Sequence, residues 1–159
     1  MRRQLRPVGL EFLVEAPVRH VFARDVAAPP EKVFEALAVD VEQWPAWFTA
    51  VTRAQLTPDG AGRAVRLRAG VRMLETILAS DAPERYAYRV DRTNAPGVCA
   101  LAEEWLLEPS GAGTRVQWTF AVEPKGLMRL FYRYGGRGLG KNFQDAVRNL
   151  DRRLSGTKA

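Results

Sequence analysis

Residues 28–48 read APPEKVFEALAVDVEQWPAWF, and this segment is the most informative part of the chain for its architecture. Pro29 and Pro30 preset the backbone of a first helical turn, and Glu31 places a carboxylate at the positive end of the helix dipole. The next apolar residues recur at helical spacing, at Val33, Phe34 and Leu37. The pattern predicts a short amphipathic helix that begins at the two prolines.

A second, aromatic-rich helix is predicted directly after the first. Asp40 is a suitable N-cap, because its short carboxylate can accept a hydrogen bond from a free N–H group of the next turn. Pro45 interrupts the apolar face of this helix. The large side chains on that face are Trp44, Trp47 and Phe48. We expect them to support the base of a sheet and to close one end of its interior, rather than to carry chemistry.

Strand patterns occupy most of the remaining chain. Seven segments combine alternating apolar residues with flanking turn residues, at 18–26, 51–56, 65–69, 71–80, 86–91, 98–107 and 115–122. The clearest turn signal is PDGAG at 58–62. Strands joined by short turns predict an antiparallel sheet in hairpin order. Helices gathered on one face of such a sheet make an α+β architecture.

The chain is predicted to end in a long helix over residues 126–154. Its apolar residues recur every three or four positions and form a single stripe. The segment GGRGLG at 135–140 lies inside this helix, where each glycine costs up to about 1 kcal/mol relative to alanine. The helix either breaks near Gly135, or it continues and the small glycine residues have a structural role within it. A dinucleotide-binding interpretation is rejected, because the segment does not follow a strand.

A strand ending at Val26 and Ala27, then Ala-Pro-Pro-Glu-x-Val-Phe, then Trp-Pro-x-Trp, resembles the opening signature of the START-like, or helix-grip, superfamily. This superfamily includes polyketide cyclase/dehydrase and lipid-transport proteins and the Bet v 1-like allergens. The resemblance covers residues 18–154, since the strand series and the last helix also fit. It implies one domain over residues 1–159: a curved seven-stranded antiparallel sheet wrapped around a long C-terminal helix, with two short helices after the first strand.

The resemblance also implies an internal pocket between the sheet and the C-terminal helix. Small residues in that helix would leave room for a ligand, or would let the helix bend over it. The superfamily members bind or transform very different ligands, so the fold alone does not identify the molecule in the pocket.

Length and composition agree with one globular domain. The chain has 159 residues, of which 47% are hydrophobic and 26% charged, as is usual for a soluble protein. The N-terminal residues 1–15 fit a short helix, an extra strand or a partly ordered arm. No apolar run approaches the roughly 18 residues of a membrane helix, and no signal peptide is recognisable. With the single cysteine Cys99, these features make a cytoplasmic location the expectation.

Positive charge is concentrated towards the C-terminus. From Lys125 onward the chain has nine basic and two acidic residues, against a net charge of +6 for the whole chain. Basic residues recur every four positions and form a ridge if the helix is continuous, at Arg129, Arg133, Arg137 and Lys141. The ridge is either a solvated face or a contact with an anionic surface, such as membrane headgroups, an acyl carrier protein or nucleic acid. No motif predicts specific recognition of nucleic acid.

The sequence offers few groups for catalysis. His20 is the one histidine and cannot build a multi-histidine site, and no serine lies in a nucleophile elbow, so no metal, cofactor or nucleophile triad is predicted. Strand parity turns Glu75 inward with Met73, and Glu103 inward with Trp105. A buried carboxyl has a raised pKa that suits general acid or base work, unless a cross-strand arginine neutralises it. The arginines available for this are Arg66, Arg68, Arg72 and Arg89.

The expected function is binding of a small hydrophobic molecule, of lipid, polyketide or isoprenoid type, in the internal pocket. The expected pocket residues either point to the inner face of their strand or lie on the inward side of the last helix. They are Met73, Glu75, Tyr86, Tyr88, Glu103, Trp105, Trp118, Phe120, Tyr134, Gly138 and Phe143. One alternative is an enzyme similar to the aromatase/cyclases, with Glu75 as the catalytic candidate. Another is a partner-binding or regulatory module that acts through the basic C-terminal helix.

Overall fold

The computed structural model describes residues 2–156. The strands of this part are β1 Arg3–Gln4, β2 Val18–Val26, β3 Val51–Leu56, β4 Gly62–Leu67, β5 Arg72–Asp81, β6 Arg85–Thr93, β7 Val98–Ser110 and β8 Gly113–Pro124. The helical elements are α1 Phe12–Glu15, α2 Pro30–Phe34, a π-helical turn Glu35–Val39, a 3-10 helix Val41–Ala46, α3 Met128–Tyr134 and α4 Gly136–Leu154.

The strands form one antiparallel sheet. Seven of them follow in the order β2-β8-β7-β6-β5-β4-β3: β3 to β8 pair in sequence order, as expected for hairpins, and β2 pairs with the last strand, β8. The short β1 pairs with β6 at Arg92 and Thr93, beyond the residues of β6 that pair with β7. The sheet curls around α4, so that its concave face holds the main core. The predicted α+β helix-grip fold is confirmed.

The two predicted short helices lie between β2 and β3. The first begins at Pro30 and runs directly into the π-helical turn, and the 3-10 helix follows after Asp40. The Asp40 side chain makes no capping hydrogen bond, which differs from the sequence-based expectation. Instead, the indole Nε1 of Trp44 donates to the carbonyl oxygen of Leu37 at 3.0 Å and ties the two segments together.

Aromatic rings from these helices pack against the concave face of the sheet. The ring centroids of Trp44 and Trp47 lie 4.9 Å apart, and the Trp44 ring meets the Trp105 ring edge-on at 5.9 Å. Phe48 meets Trp118 in the same edge-on manner at 6.3 Å. Such offset and edge-on pairs are the favoured arrangements of aromatic side chains, and the cluster closes one end of the curved sheet.

The C-terminal region consists of two helices rather than one. Gly135 ends α3 and precedes α4, so of the two possibilities left open for residues 126–154 the structure has the break near Gly135. A Cβ atom on Gly136 would lie 2.9 Å from Nδ1 of His20, and one on Gly140 would lie 2.9 Å from Cε1 of Phe22. These two glycines therefore bring α4 close to β2, rather than leaving space for a ligand. Within residues 2–156, no helix combines the length and apolar character needed to cross a membrane.

The N-terminal segment covers the convex face of the sheet. This face presents small residues that are fully buried, namely Ala87, Ala100, Ala102 and Ala121. Val8, Phe12 and Leu13 pack onto them, with the last two in α1. The segment is held at its start by a hydrogen bond from the N–H of Leu5 to the carbonyl oxygen of Asp91, 2.8 Å long. It thus contains both a short strand and a short helix, and it forms a second core.

Candidate functional site

A cavity of about 110 Å³ lies between the concave face of the sheet, the 3-10 helix and α4. Its apolar wall is formed by Trp44, Phe48, Val51, Val65, Trp118 and Phe120. Its polar wall is formed by Arg63, Glu75, Tyr88 and Glu103. The mouth is lined by residues that are partly or fully exposed, namely Ala50, Leu67, Met73, Leu139 and Asn142. The cavity is therefore mainly apolar, with ionisable groups on one side.

An ion pair between neighbouring strands forms part of the polar wall. Arg63 on β4 lies directly opposite Glu75 on β5, and its Nε and Nη2 atoms are each 2.7 Å from Oε2 of the glutamate. The two side chains are only 1% and 2% exposed. Gly62 starts β4 at this point because a Cβ atom there would overlap the carbonyl oxygen of Glu75. The backbone thus places the arginine against its partner.

The Arg63 guanidinium is also packed against aromatic rings. Its central carbon lies 4.0 Å from the ring centroid of Tyr88, 4.5 Å from that of Trp44 and 5.5 Å from that of Tyr86. A cation over an aromatic face is attracted by the ring quadrupole, and the attraction is stronger away from water. These rings compensate for part of the hydration that the buried guanidinium loses.

A second polar group, the Glu103 carboxyl, is held by hydrogen bonds from the sheet. The indole Nε1 of Trp118 donates to Oε1 of Glu103 at 3.0 Å, and the hydroxyl of Tyr88 approaches the same oxygen at 3.4 Å. The Tyr88 hydroxyl in turn accepts a hydrogen bond of 3.1 Å from Nε1 of Trp105. The neighbouring strands β6, β7 and β8 therefore fix the carboxyl in one orientation.

The environment changes the proton affinity of these groups. Burial, followed by the negative charge of Glu75, raises the pKa of Glu103 to about 8. Burial also raises the pKa of Glu75, although the Arg63 guanidinium opposes this by stabilising the carboxylate. The pKa of the Tyr88 phenol is raised well above its ordinary value, mainly by burial. At neutral pH the cavity thus holds a neutral Glu103 carboxyl beside the Arg63–Glu75 pair.

Some buried donors near the cavity are not hydrogen-bonded. Within residues 2–156, the buried side-chain nitrogen and oxygen atoms without a partner are Nη1 of Arg63, the hydroxyl of Tyr86 and Nε1 of Trp47. Arg63 lines the cavity, whereas Tyr86 and Trp47 lie behind its wall. A buried donor without an acceptor costs about 1–3 kcal/mol. Nη1 of Arg63 has almost no accessible surface, so a ligand oxygen would remove that cost only after a side chain of the cavity wall had moved.

The expected pocket residues fall into three groups. Those on the cavity wall or its mouth are Met73, Glu75, Tyr88, Glu103, Trp118 and Phe120. Those buried behind the wall are Tyr86, Trp105 and Phe143. Tyr134 and Gly138 lie away from the cavity: Tyr134 is 75% exposed, and a Cβ atom on Gly138 would meet open space. Tyr134 and Gly138 were expected in the pocket because the inward side of the last helix was continued through Gly135, where the helix breaks.

The four predicted basic residues of the ridge lie on the outside of α3 and α4. Arg129, Arg133, Arg137 and Lys141 are all exposed. The break at Gly135 separates the first two from the last two, so they do not share one continuous helix. Lys141 pairs with Asp145 at 2.9 Å, four residues along α4.

Sequence reasoning missed several residues of the site, above all Arg63. The turn signal at 58–62 suggested that the strand began after Arg63, although the phase of Val65 extended back by two residues turns Arg63 inward. The arginines considered as partners for Glu75 do not fill that role, and Arg89 instead pairs with Asp91 at 2.8 Å. Trp44 and Phe48, which we expect from the sequence to support the sheet and close one end of its interior, line the cavity.

Known sequences include one matching family and several relatives of the chain. Residues 17–155 match the family described as polyketide cyclase / dehydrase and lipid transport. Uncharacterized proteins from Mycobacterium bovis and Mycobacterium tuberculosis are 35% identical to the chain over 127 residues. These alignments cover 77% of this chain and 75% of the relatives.

Solved structures share the fold at low sequence identity. A START superfamily protein from Mycobacterium smegmatis aligns with a TM-score of 0.70 at 14% identity, over 88% of this chain and 99% of that protein. Major latex-like protein 151 from Panax ginseng aligns with a TM-score of 0.71 at 11% identity, over 86% and 96% of the two chains. The likeness extends over nearly the whole chain.

Proposed function

The chain belongs to the polyketide cyclase/dehydrase and lipid transport family, and from this premise we propose that it binds a small, mainly apolar ligand in its cavity. The ligand carries one oxygen that accepts a hydrogen bond. The observation behind this proposal is the combination of an apolar wall with a buried Arg63 whose Nη1 has no partner. Burial of apolar surface supplies affinity, and a few fixed polar groups supply orientation.

The size of the cavity limits the ligand. A volume of about 110 Å³ is below the roughly 300–1,000 Å³ usual for ligand pockets, and somewhat below the roughly 150 Å³ of an engineered cavity that holds benzene. A single ring of about six atoms, or the end of a lipid, polyketide or isoprenoid chain, comes closest to this space. Met73 and Leu139 at the mouth are partly exposed and can change rotamer to admit the remainder of a longer chain.

The polar wall favours a neutral ligand with a carbonyl or hydroxyl group. The Arg63–Glu75 pair has no net charge, and Glu103 is neutral at pH 7 because its pKa is about 8. A ligand carboxylate would add an unbalanced buried charge beside Glu75. A carbonyl oxygen can accept from Nη1 of Arg63 without adding such a charge.

Matched probes test this proposal. Acetophenone and isopropylbenzene have nearly the same shape, but only the ketone has a hydrogen-bond acceptor. Titration followed by the indole N–H signals of Trp44 and Trp118 in NMR spectra should give saturable binding of the ketone. Binding of the hydrocarbon should be about tenfold weaker, the effect of one unmet donor.

Two variants provide the control for location. Ala50 lies at the mouth, so Ala50→Phe should block entry, whereas Ala64→Phe adds the same ring at an exposed position off the cavity wall and should leave binding unchanged. Equal affinities for the two probes would contradict the role of Arg63. Unchanged binding in Ala50→Phe would contradict the location.

A second candidate function, dehydration of a β-hydroxy ketone, is favoured by one observation. Glu103 is a neutral acid and Glu75 a carboxylate in the same cavity, and such a pair of carboxyls suits acid–base catalysis. Glu75 would take the proton next to the carbonyl, and Glu103 would protonate the leaving hydroxyl, so that water is lost.

The ultraviolet absorbance of the enone product measures this activity with 4-hydroxy-4-phenylbutan-2-one. Glu103→Gln and Glu75→Gln should each abolish turnover above the rate in buffer. Glu104→Gln is the matched control, because Glu104 pairs with Arg85 outside the cavity. A wild-type rate equal to that of buffer would leave ligand binding as the function.

A further inference from the structure

The helix α3 exposes an unusual amount of apolar surface. None of its residues is buried. Four large apolar side chains in and next to it are exposed, namely Leu127 at 89%, Leu130 at 59%, Phe131 at 62% and Tyr134 at 75%. They are half of the exposed large apolar residues in the part of the chain that the structure describes. An exposed apolar patch of this kind commonly marks an interaction site.

The four side chains lie on one face of the helix. Positions 127, 130, 131 and 134 are spaced as i, i+3, i+4 and i+7, which places them in a single stripe. The opposite side of α3 packs against the rest of the protein. Tyr132 packs against the main core, and its carbonyl oxygen lies 2.7 Å from Nε2 of His20. The stripe is thus directed outward while the helix is anchored on its other side.

Basic residues without acidic partners lie in α3 and next to it, outside the apolar stripe. Between Lys125 and Gln144 the sequence has five basic residues and no acidic one. Within residues 2–156, no ion pair involves Lys125, Arg129, Arg133 or Arg137. The surface therefore combines a contiguous apolar stripe with uncompensated positive charge.

We propose that residues 125–137 dock on an anionic lipid surface, with the stripe inserted at the level of the headgroups and the basic residues against the lipid phosphates. A helix with an apolar face and Lys or Arg beside it lies in the plane of such an interface. Nucleic acid would attract the arginines but would not cover four large apolar side chains. The lipid surface satisfies both features together.

Docking there brings the cavity close to the lipid. Gly135 alone separates α3 from α4, and α4 contributes Leu139 and Asn142 to the mouth of the cavity. Transfer of a ligand between the cavity and the bilayer rests on the proposed function. Docking itself depends only on the outer surface of α3.

Co-sedimentation with vesicles tests the proposal. We expect the full-length protein to pellet with phosphatidylcholine vesicles that contain phosphatidylglycerol, to pellet much less with phosphatidylcholine alone, and to be released by high salt. Leu130→Ser with Phe131→Ser should weaken binding about tenfold or more, because two inserted apolar side chains are lost. Arg129→Gln with Arg133→Gln should weaken binding and reduce its salt dependence.

Control variants separate this result from general effects. Val39→Ser with Leu56→Ser removes two exposed apolar residues elsewhere and should leave binding unchanged. The Leu130→Ser/Phe131→Ser variant should still bind acetophenone like the wild type, so that a failure of docking is distinguishable from a failure of ligand binding.

Three outcomes would overturn the proposal. One is the absence of pelleting with anionic vesicles. Another is vesicle binding that survives loss of Leu130 and Phe131, which would reduce the surface to a polyanion contact. The third is a dimer, detected by light scattering, that only the Leu130→Ser/Phe131→Ser variant dissociates, with no vesicle binding; the stripe would then bind a second copy of the chain.

Discussion

The two faces of the sheet differ sharply, although the same strands build both. Along β6, Tyr86 and Tyr88 point to the concave face and Ala87 between them points to the convex face. Along β7, Glu103 faces the cavity and Ala102 faces the N-terminal segment. The concave face carries aromatic rings and buried ionisable groups, whereas the buried centre of the convex face is lined by methyl groups.

This difference separates the requirements of binding from those of stability. Alanines let α1 approach the sheet closely and form a small core of apolar side chains with it. The concave face instead keeps buried polar groups whose hydration is only partly replaced, which costs stability and provides orientation for a ligand. Variants on each face should therefore respond differently to the same kind of substitution.

The largest effect is expected at the Arg63–Glu75 pair. Arg63→Met should destabilise the fold by about 3–5 kcal/mol, because it leaves a buried carboxylate unpaired. Urea unfolding measures the change. Arg85→Met is the matched variant at the Glu104 pair, where the arginine side chain is 31% exposed, and we expect about 1 kcal/mol there. Addition of Glu75→Gln to Arg63→Met should restore much of the loss, and equal losses at the two pairs would contradict the comparison.

The next effect concerns the pH dependence of stability. The pKa of Glu103 is raised from 4.5 to about 8 by folding, so the folded state binds the proton more tightly. The stabilisation from this proton is complete below about pH 4.5 and is lost as the pH rises to about 8. Relative to Glu103→Gln, the free energy of unfolding of the wild type should fall by up to about 4 kcal/mol across that pH window. Urea unfolding at a series of pH values measures this loss. If Glu103 were not protonated in the folded state, the free energies of unfolding of the two proteins would change with pH in parallel.

A smaller loss is expected from enlarging the convex face. Ala102→Leu should cost about 1–3 kcal/mol, because the fully buried site has no space for three further carbons. The N-terminal segment should be displaced and become sensitive to trypsin at Arg3, which pairing of β1 with β6 protects in the wild type. Val65→Leu on the concave side enlarges a residue beside the cavity and should cost less. Trypsin resistance in Ala102→Leu would show that the segment does not depend on this contact.

The smallest effect distinguishes the two sides of α4. Gly138→Ala should stabilise the fold by about 0.5–1 kcal/mol, because the added methyl group meets open space and alanine has a higher helix propensity than glycine. Gly136→Ala should give no gain, since its methyl group would press against His20. Thermal unfolding measures both variants. Equal shifts in the two melting temperatures would mean that α4 can move away from β2 without cost.

Much of the fold was predictable because it depends on local patterns. Alternating apolar residues and flanking turn residues predicted β2 and β3 with the bounds that the structure shows. The proline pair predicted the start of α2. The break at Gly135 remained open because helix propensity alone cannot decide it. The close contact of α4 with β2, which requires glycine at 136 and 140, is a tertiary feature.

The site was predictable only where strand parity determines it. Parity placed Glu75 and Glu103 inward, and both lie on the cavity wall. Parity extended back from Val65 would also have turned Arg63 inward, but its pairing with Glu75 depends on the register between β4 and β5. Tyr134 was placed inward by a stripe that changes direction after α3. Cross-strand register and helix breaks are set by the whole fold, and local sequence does not encode them.

The packing of the four tryptophans gives the protein a built-in optical reporter. All four indoles are buried, and they form two close pairs, with 4.9 Å between the centroids of Trp44 and Trp47 and 5.7 Å between those of Trp105 and Trp118. Indoles at such distances couple as excitons and give a strong circular dichroism couplet through their intense far-ultraviolet transition. Because Trp44 and Trp118 belong to different pairs and both line the cavity, a bound molecule perturbs both couplets at once.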